Sequence, residues 1–234
     1  MLKERQKLIL EIVIKEHIKT AQPVSSFMIA KKYSMDFCPA TIRNEMLELT
    51  KKNYLYKPYL SSGRIPTTKG YQFLVEKILE EKTSWKKGNK YLRVRLNFRD
   101  TLRTFEELLE KMAQISSSLI LGYLPDQDLI IEKGWTRVLL EPEFQQRDCF
   151  KRFIKFVEFF EKNIEEIFEK EIENNLEIFV GKDNPLTGID DFSMILAKPQ
   201  SQNAPFISLV GPKRMPYKKN ISLMEEALNL LSRV

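Results

Sequence analysis

The chain has 234 residues, 43% apolar and 11% aromatic, enough for a core and too apolar for a disordered polymer. No apolar run reaches the about 20 residues that a membrane span needs, and Met1–Arg5 leads into a charged helix rather than a signal peptide. Cys38, Cys149 and the single histidine, His17, leave no disulfide framework, metal-ligand cluster or histidine-dependent triad. A reducing cytoplasm, no metal, no cofactor and no enzymatic activity are therefore expected.

The net charge of +6 averages two unlike parts. Residues 1–99 carry 21 Lys and Arg against 9 Asp and Glu, a net of +12. Residues 100–234 carry 17 against 23, a net of −6. A basic part beside an acidic one suggests a polyanion-binding module joined to something else.

In chain order, Leu8, Ile9, Ile12 and Val13 form an apolar stripe at helical spacing, which predicts a helix from about Leu2 to Ile18. Thr20-Ala21-Gln22-Pro23 breaks it. Ser25 or Ser26 caps a short second helix through Lys32, with Phe27, Ile29 and Ala30 on its apolar side. Cys38-Pro39 opens a third helix, 39–52, whose buried stripe is Ile42, Met46 and Leu49. A hairpin follows between Tyr54 and Pro66, with Gly63 expected to supply a positive φ at the turn. Thr67 or Thr68 caps a fourth helix carrying Tyr71, Leu74, Val75 and Ile78.

Three helices and a hairpin is the order of a winged helix-turn-helix, whose later paired helix enters the DNA major groove. Burying Ile42, Met46 and Leu49 turns Ala40, Thr41, Asn44 and Lys51 outward, with Arg43 on the flank. Arg reads guanine and Asn reads adenine in bidentate pairs, and Thr41, Arg43 and Asn44 occupy the first turns, where base edges come within reach. A solvated helix face would show the same composition. Arg64 beside Gly63 on a projecting hairpin suits insertion near phosphates or a minor groove and favours the DNA reading.

The strings MLKERQKLILEIVIKEHIKTAQPVSS, PATIRNEMLEL and SSGRIPTTKGY closely resemble the winged-helix domain of the HrcA family of bacterial heat-inducible transcription repressors. The resemblance covers residues 1–82 and implies repression of chaperone operons through an inverted-repeat (CIRCE) operator bound by a dimer. It also implies a GroEL-type chaperonin as the partner that maintains active repressor. Thr41, Arg43 and Asn44 match the family's recognition helix, and Ser61, Ser62, Gly63 and Arg64 match its wing. Cys38 and Pro39 replace the usual serines, Tyr59 stands where histidine is frequent, and Asn53 replaces a glycine while tolerating the left-handed conformation.

Beyond residue 82, residues 83–100 form a basic linker, in which the alternation of Leu92, Val94, Leu96 and Phe98 with Arg93, Arg95, Asn97 and Arg99 predicts a basic-faced strand. From Asp100 a helix carries Leu102, Phe105, Leu108, Leu109 and Met112, followed by a buried strand at Ser117–Tyr123. Phe150, Phe153, Ile154, Val157 and Phe160 make the strongest helical stripe, read as core, before a solvated acidic run, Glu165–Glu173. Leu176–Val180, Phe192–Ala197 and Phe206–Val210 are expected strands, and Leu223–Leu231 a closing helix. Helices mixed with an antiparallel sheet place 101–234 in the α+β class.

GWTRVLLEPEF, IFVGKDNPL and VGPKRMPYKKNISLMEEAL are similar to the GAF-like domain of the same family. Gly211, Pro212, Arg214, Met215 and Tyr217 hold the last of these. The chain is shorter than typical members, with the difference falling between about Tyr123 and Leu129, where the family has central sheet strands and an inserted dimerisation domain. A reduced GAF-like domain, serving regulation and oligomerisation, is therefore expected at 101–234. The alternative function is a winged-helix regulator whose C-terminal domain senses a small effector. VGKDNPL lacks phosphate-loop spacing, and Asp190-Asp191 reads as a turn.

Overall fold

The computed structural model describes residues 2–33, 37–81, 91–92, 101–169, 175–181, 190–200 and 204–232. The expected basic strand lies outside them except for Leu92, as do most of the 83–100 linker, the end of the acidic run and residues 182–189. The chain divides into two compact units, Met1–Trp85 and Lys86–Val234.

The first unit is built on α1 (Glu4–Thr20), which meets α3 (Pro39–Lys51), β2 (Ile65–Pro66) and α4 (Thr68–Glu81). Coverage from several sides explains why Ile9, Leu10, Ile12, Val13 and Ile14 are all buried, a wider face than the expected stripe. Leu8 falls outside that face and is half exposed. α1 runs two residues past Ile18 and closes on Ala21, left-handed at φ 54°, whose N–H bonds the His17 carbonyl at 2.9 Å.

α2 (Ser26–Tyr33) is capped by Ser25, whose hydroxyl accepts the Met28 N–H at 3.1 Å. It buries Ile29, whereas Phe27, expected on the apolar side, points to solvent. α3 starts with Pro39 after an extended Cys38 and buries Ile42, Met46 and Leu49, as the spacing predicts. Asn53 reverses the chain at φ 61°, the conformation expected for it. β1 (Leu55–Tyr56) pairs antiparallel with β2, Leu55 opposite Pro66. The Thr67 hydroxyl accepts the Gly70 N–H at 3.2 Å and caps α4, which buries Tyr71, Val75 and Ile78.

The second unit is α+β. Its antiparallel sheet runs in the order β4-β3-β7-β6-β5, from β3 (Leu119–Leu124), β4 (Leu129–Lys133), β5 (Leu176–Val180), β6 (Phe192–Ala197) and β7 (Phe206–Pro212). α5 (Thr101–Ser116) covers one face: a Cβ on Gly122 would lie 2.5 Å from Leu109 and 2.7 Å from Phe105. α9 (Tyr217–Leu231) packs against β6 and β7 and alongside α5. The opposite face carries Leu121, Tyr123, Met194, Phe206 and Val210 against α6 (Trp135–Val138), α7 (Arg147–Lys162) and α8 (Ile164–Glu169). Phe153 and Phe156 of α7 meet Phe192 edge-on at 5.0 and 5.7 Å. Of the expected stripe, Phe153, Val157 and Phe160 are core, whereas Phe150 and Ile154 are only half-buried and Cys149 and Phe156 take the remaining inward places. Because both faces are covered, β3, β6 and β7 are buried throughout; β3 is wholly apolar, and β6 and β7 are apolar but for one buried serine each, Ser193 and Ser208.

The second unit departs from expectation at several points: β4 is an additional strand, and β3 spans Leu119–Leu124 rather than Ser117–Tyr123. β4 follows β3 through a tight connection at Pro125–Gln127, with Asp128 left-handed at φ 46°. β7 runs two residues past Val210. α9 starts at Tyr217 rather than Leu223 because Tyr217, Asn220 and Ile221 are already buried in its first turns.

Candidate nucleic-acid interface

α3 is held from behind. Ile42, Met46 and Leu49 face the core, and a polar network locks the helix to α1. Gln6 donates from Nε2 to Glu45 at 3.0 Å and accepts from Lys52 Nζ at 3.0 Å. Arg5 lies 3.6 Å from the other Glu45 oxygen. α2 is fixed to α1 by Glu16, a buried carboxylate that accepts Lys32 Nζ and the Tyr33 hydroxyl, each at 2.6 Å. Those two donors hold Glu16 below the usual carboxylate range, while burial and Glu16 push the Tyr33 hydroxyl up to about 12.

The outward side of α3 is a stripe of Ala40, Arg43, Asn44, Leu47 and Lys51, all exposed at helical spacing. Among the described residues, neither Arg43 nor Asn44 has a hydrogen-bond or ion-pair partner. The five donors of the guanidinium and both functions of the amide therefore face solvent ready to bind. Lys51 is paired with Glu48 one turn back at 2.8 Å, an exposed pair that a phosphate can displace at small cost. Thr41 is half-buried, its hydroxyl 3.2 Å from Cys38 Sγ. That contact, with the adjoining backbone N–H groups, draws the exposed Cys38 thiol down from its ordinary value.

The hairpin places its four candidates differently. Ser61 sits at the apex of a turn closed by Ser62 N–H donating to the Tyr59 carbonyl at 3.0 Å. The Ser62 hydroxyl staples that turn, donating to the Tyr59 carbonyl at 2.7 Å and accepting its N–H at 3.2 Å. Gly63 does not have a positive φ, contrary to expectation. Glycine is required for close approach instead: a Cβ there would lie 2.3 Å from the Val24 carbonyl oxygen. Arg64 pairs its backbone with Val24 at 2.8 and 2.9 Å and sends Nε to Thr50 Oγ1 at 3.1 Å.

Arg43, Asn44 and Lys51 thus share one face, Ser61 tops the hairpin, and Ser62, Gly63 and Arg64 hold its frame. Leu47, Tyr59 and Leu60 are exposed on the same two elements; the sequence marks Tyr59 only as a departure from a frequent histidine, and Leu47 and Leu60 not at all. Leu47 follows Arg43 at i+4, and Tyr59-Leu60 directly precedes the turn, so both signals are visible in hindsight.

Among the described residues there is no group of three or more acidic, His or Cys side chains able to hold a metal, and no helix long and apolar enough to cross a membrane.

A family model described as the HrcA protein C terminal domain matches residues 74–221. The chain belongs to the HrcA family. A heat-inducible transcription repressor HrcA from Carboxydothermus hydrogenoformans is 39% identical over 143 residues, 61% of this chain and 38% of that protein. The HrcA repressor of Lysinibacillus sphaericus is 38% identical over 153 residues, 65% of this chain and 40% of that protein. These HrcA alignments therefore span less than half of either relative. A solved structure, a hypothetical protein at 2.2 Å resolution, superposes with a TM-score of 0.84 over 100% of this chain and 98% of that one. At 17% identity, that likeness concerns the fold of this HrcA-family chain alone.

Proposed function

We propose that this chain is a sequence-specific DNA-binding repressor of heat-shock (chaperone) genes, acting as a homodimer on an inverted-repeat, CIRCE-type operator. Residues 1–82 serve as a winged helix-turn-helix, α3 as its recognition helix and the β1–β2 hairpin as its wing. Residues 101–234 serve as a reduced GAF-like regulatory and oligomerisation domain, joined through the basic 83–100 linker. Two-fold symmetry would set the α3 helices one DNA turn apart, about 34 Å, in successive major grooves.

One observation carries the reading: Arg43 and Asn44 stand exposed, with no partner among the described residues, on a helix whose opposite side is locked to α1. A solvated face needs no such bracing, whereas base readout needs side chains held at a fixed register. Thr41 and Lys51 flank them, and the net +12 of residues 1–99 supplies the sequence-independent attraction to phosphate. Heating would deplete the folded, binding-competent population, and a GroEL-type chaperonin would restore it. Gel retardation tests the reading: the full chain should shift an inverted-repeat duplex at lower concentration than a scrambled one. Equal shifts of both refute it.

A further inference from the structure

Three large exposed apolar side chains belong to the hairpin: Tyr56, Tyr59 and Leu60, at 45, 61 and 93% exposure. Leu60 is the extreme case, a leucine in water at the apex of a turn. The turn is rigid, because Ser62 bonds both the N–H and the carbonyl of Tyr59. A rigid apolar tip loses little conformational freedom when an apolar surface covers it. Exposed Lys57 on the hairpin, and Lys51 beside its Thr50 anchor, attract a polyanion, while the tip itself carries no charge. The minor groove fits both demands: its walls are deoxyribose C–H surface, flanked by phosphates, and it accepts apolar wedges such as leucine. The residue that sequence reading assigns to this contact points elsewhere. Arg64 is half-buried, paired through its backbone with Val24 and through Nε with Thr50 on the last turn of α3.

We propose that Leu60, backed by Tyr59, is the wing's DNA contact, packing as an apolar wedge into the minor groove beside each half-site. Arg64 is then a positioning residue that bolts the wing to the recognition helix. This assignment rests on the DNA-binding reading above. It divides the wing's work between a tip that touches and a root that aims.

Fluorescence anisotropy of the full chain on the inverted-repeat duplex, over a salt series, tests it. Leu60→Ser changes a side chain outside the core. It should weaken binding about tenfold while leaving the slope of log K against log salt unchanged, since no phosphate contact is lost. Hydroxyl-radical protection of the minor groove beside each half-site should fade in the same variant. Thr50→Val and Arg64→Gln should each weaken binding at constant slope, and the double variant should be no worse than either alone. An Arg64→Gln variant whose slope falls by about one, additive with Thr50→Val, makes Arg64 a phosphate contact and overturns the positioning role. Wild-type protein that prefers the inverted repeat, with Leu60→Ser binding equally tightly, overturns the wedge. Wild-type protein with no preference overturns the DNA-binding reading itself.

Discussion

Gly63 backs so closely onto Val24 that a β-carbon at position 63 would stand 2.3 Å from the Val24 carbonyl oxygen and 2.8 Å from its nitrogen. Both obstacles are backbone, so neither can swing aside. Val24 also closes the paired hydrogen bonds with Arg64, which join the hairpin root to the start of α2. Gly63→Ala should therefore open that bridge and cost about 1–3 kcal/mol of stability. Urea unfolding of the full chain measures the loss, and operator affinity should fall with it. A Gly63→Ala variant as stable as the parent would mean that the hairpin root yields freely.

Ala21 presents the opposite opportunity. It occupies the left-handed region at φ 54° while closing α1, a position where a β-carbon is strained and glycine is not. Ala21→Gly should stabilise the protein by about 0.5–1 kcal/mol, after the greater flexibility of glycine in the unfolded chain is deducted. The expected readout is a higher urea midpoint at unchanged m-value. A lower midpoint would contradict it.

In the second unit, Glu161 of α7 lies against Glu132 of β4, whose carboxylate also accepts the Trp135 indole N–H at 2.5 Å. The Glu132 contact, then burial, then the charges of Glu132 and Glu158 raise Glu161 from 4.5 to about 7. A carboxyl raised in the folded state binds its proton more tightly there than in the unfolded chain. Its contribution to stability is thus complete below 4.5 and lost as pH rises through about 7. Thermal unfolding should show Tm falling between about pH 5 and pH 8, and Glu161→Gln should flatten that dependence. A slope that survives the substitution would assign it to other groups.

Much of this architecture was legible in the sequence, and the exceptions share physical causes. The Ile42–Met46–Leu49 spacing located the buried side of α3 and, by exclusion, the outward Arg43 and Asn44. Predominantly apolar runs, broken only by Ser193 and Ser208, located β3, β6 and β7, because strands covered on both faces have no polar alternation to hide them. β4 was missed because its only fully buried residue is Ile131 and it ends in the charged pair Glu132-Lys133. The first turns of α9 read as polar, yet Tyr217 and Asn220 lie fully within the core. Leu8 and Phe27 show the limit of periodicity, which gives a direction on the helix but not whether another element covers it. The hairpin was the least legible part. Composition marked Gly63 and Arg64 as special, but only the tertiary contacts with Val24 and Thr50 reveal a close approach and an anchor.

The role of α3 is tested most directly by Arg43→Ala and Asn44→Ala, each assayed on an inverted-repeat and on a scrambled duplex at matched salt. Both side chains are exposed and without partners among the described residues, so neither change should disturb the fold. Each should cost about 1–3 kcal/mol on the inverted repeat and little on the scrambled duplex, because base contacts carry sequence and phosphate contacts do not. Equal losses on the two duplexes would reduce these residues to phosphate contacts, and undiminished binding to both would remove α3 from the interface.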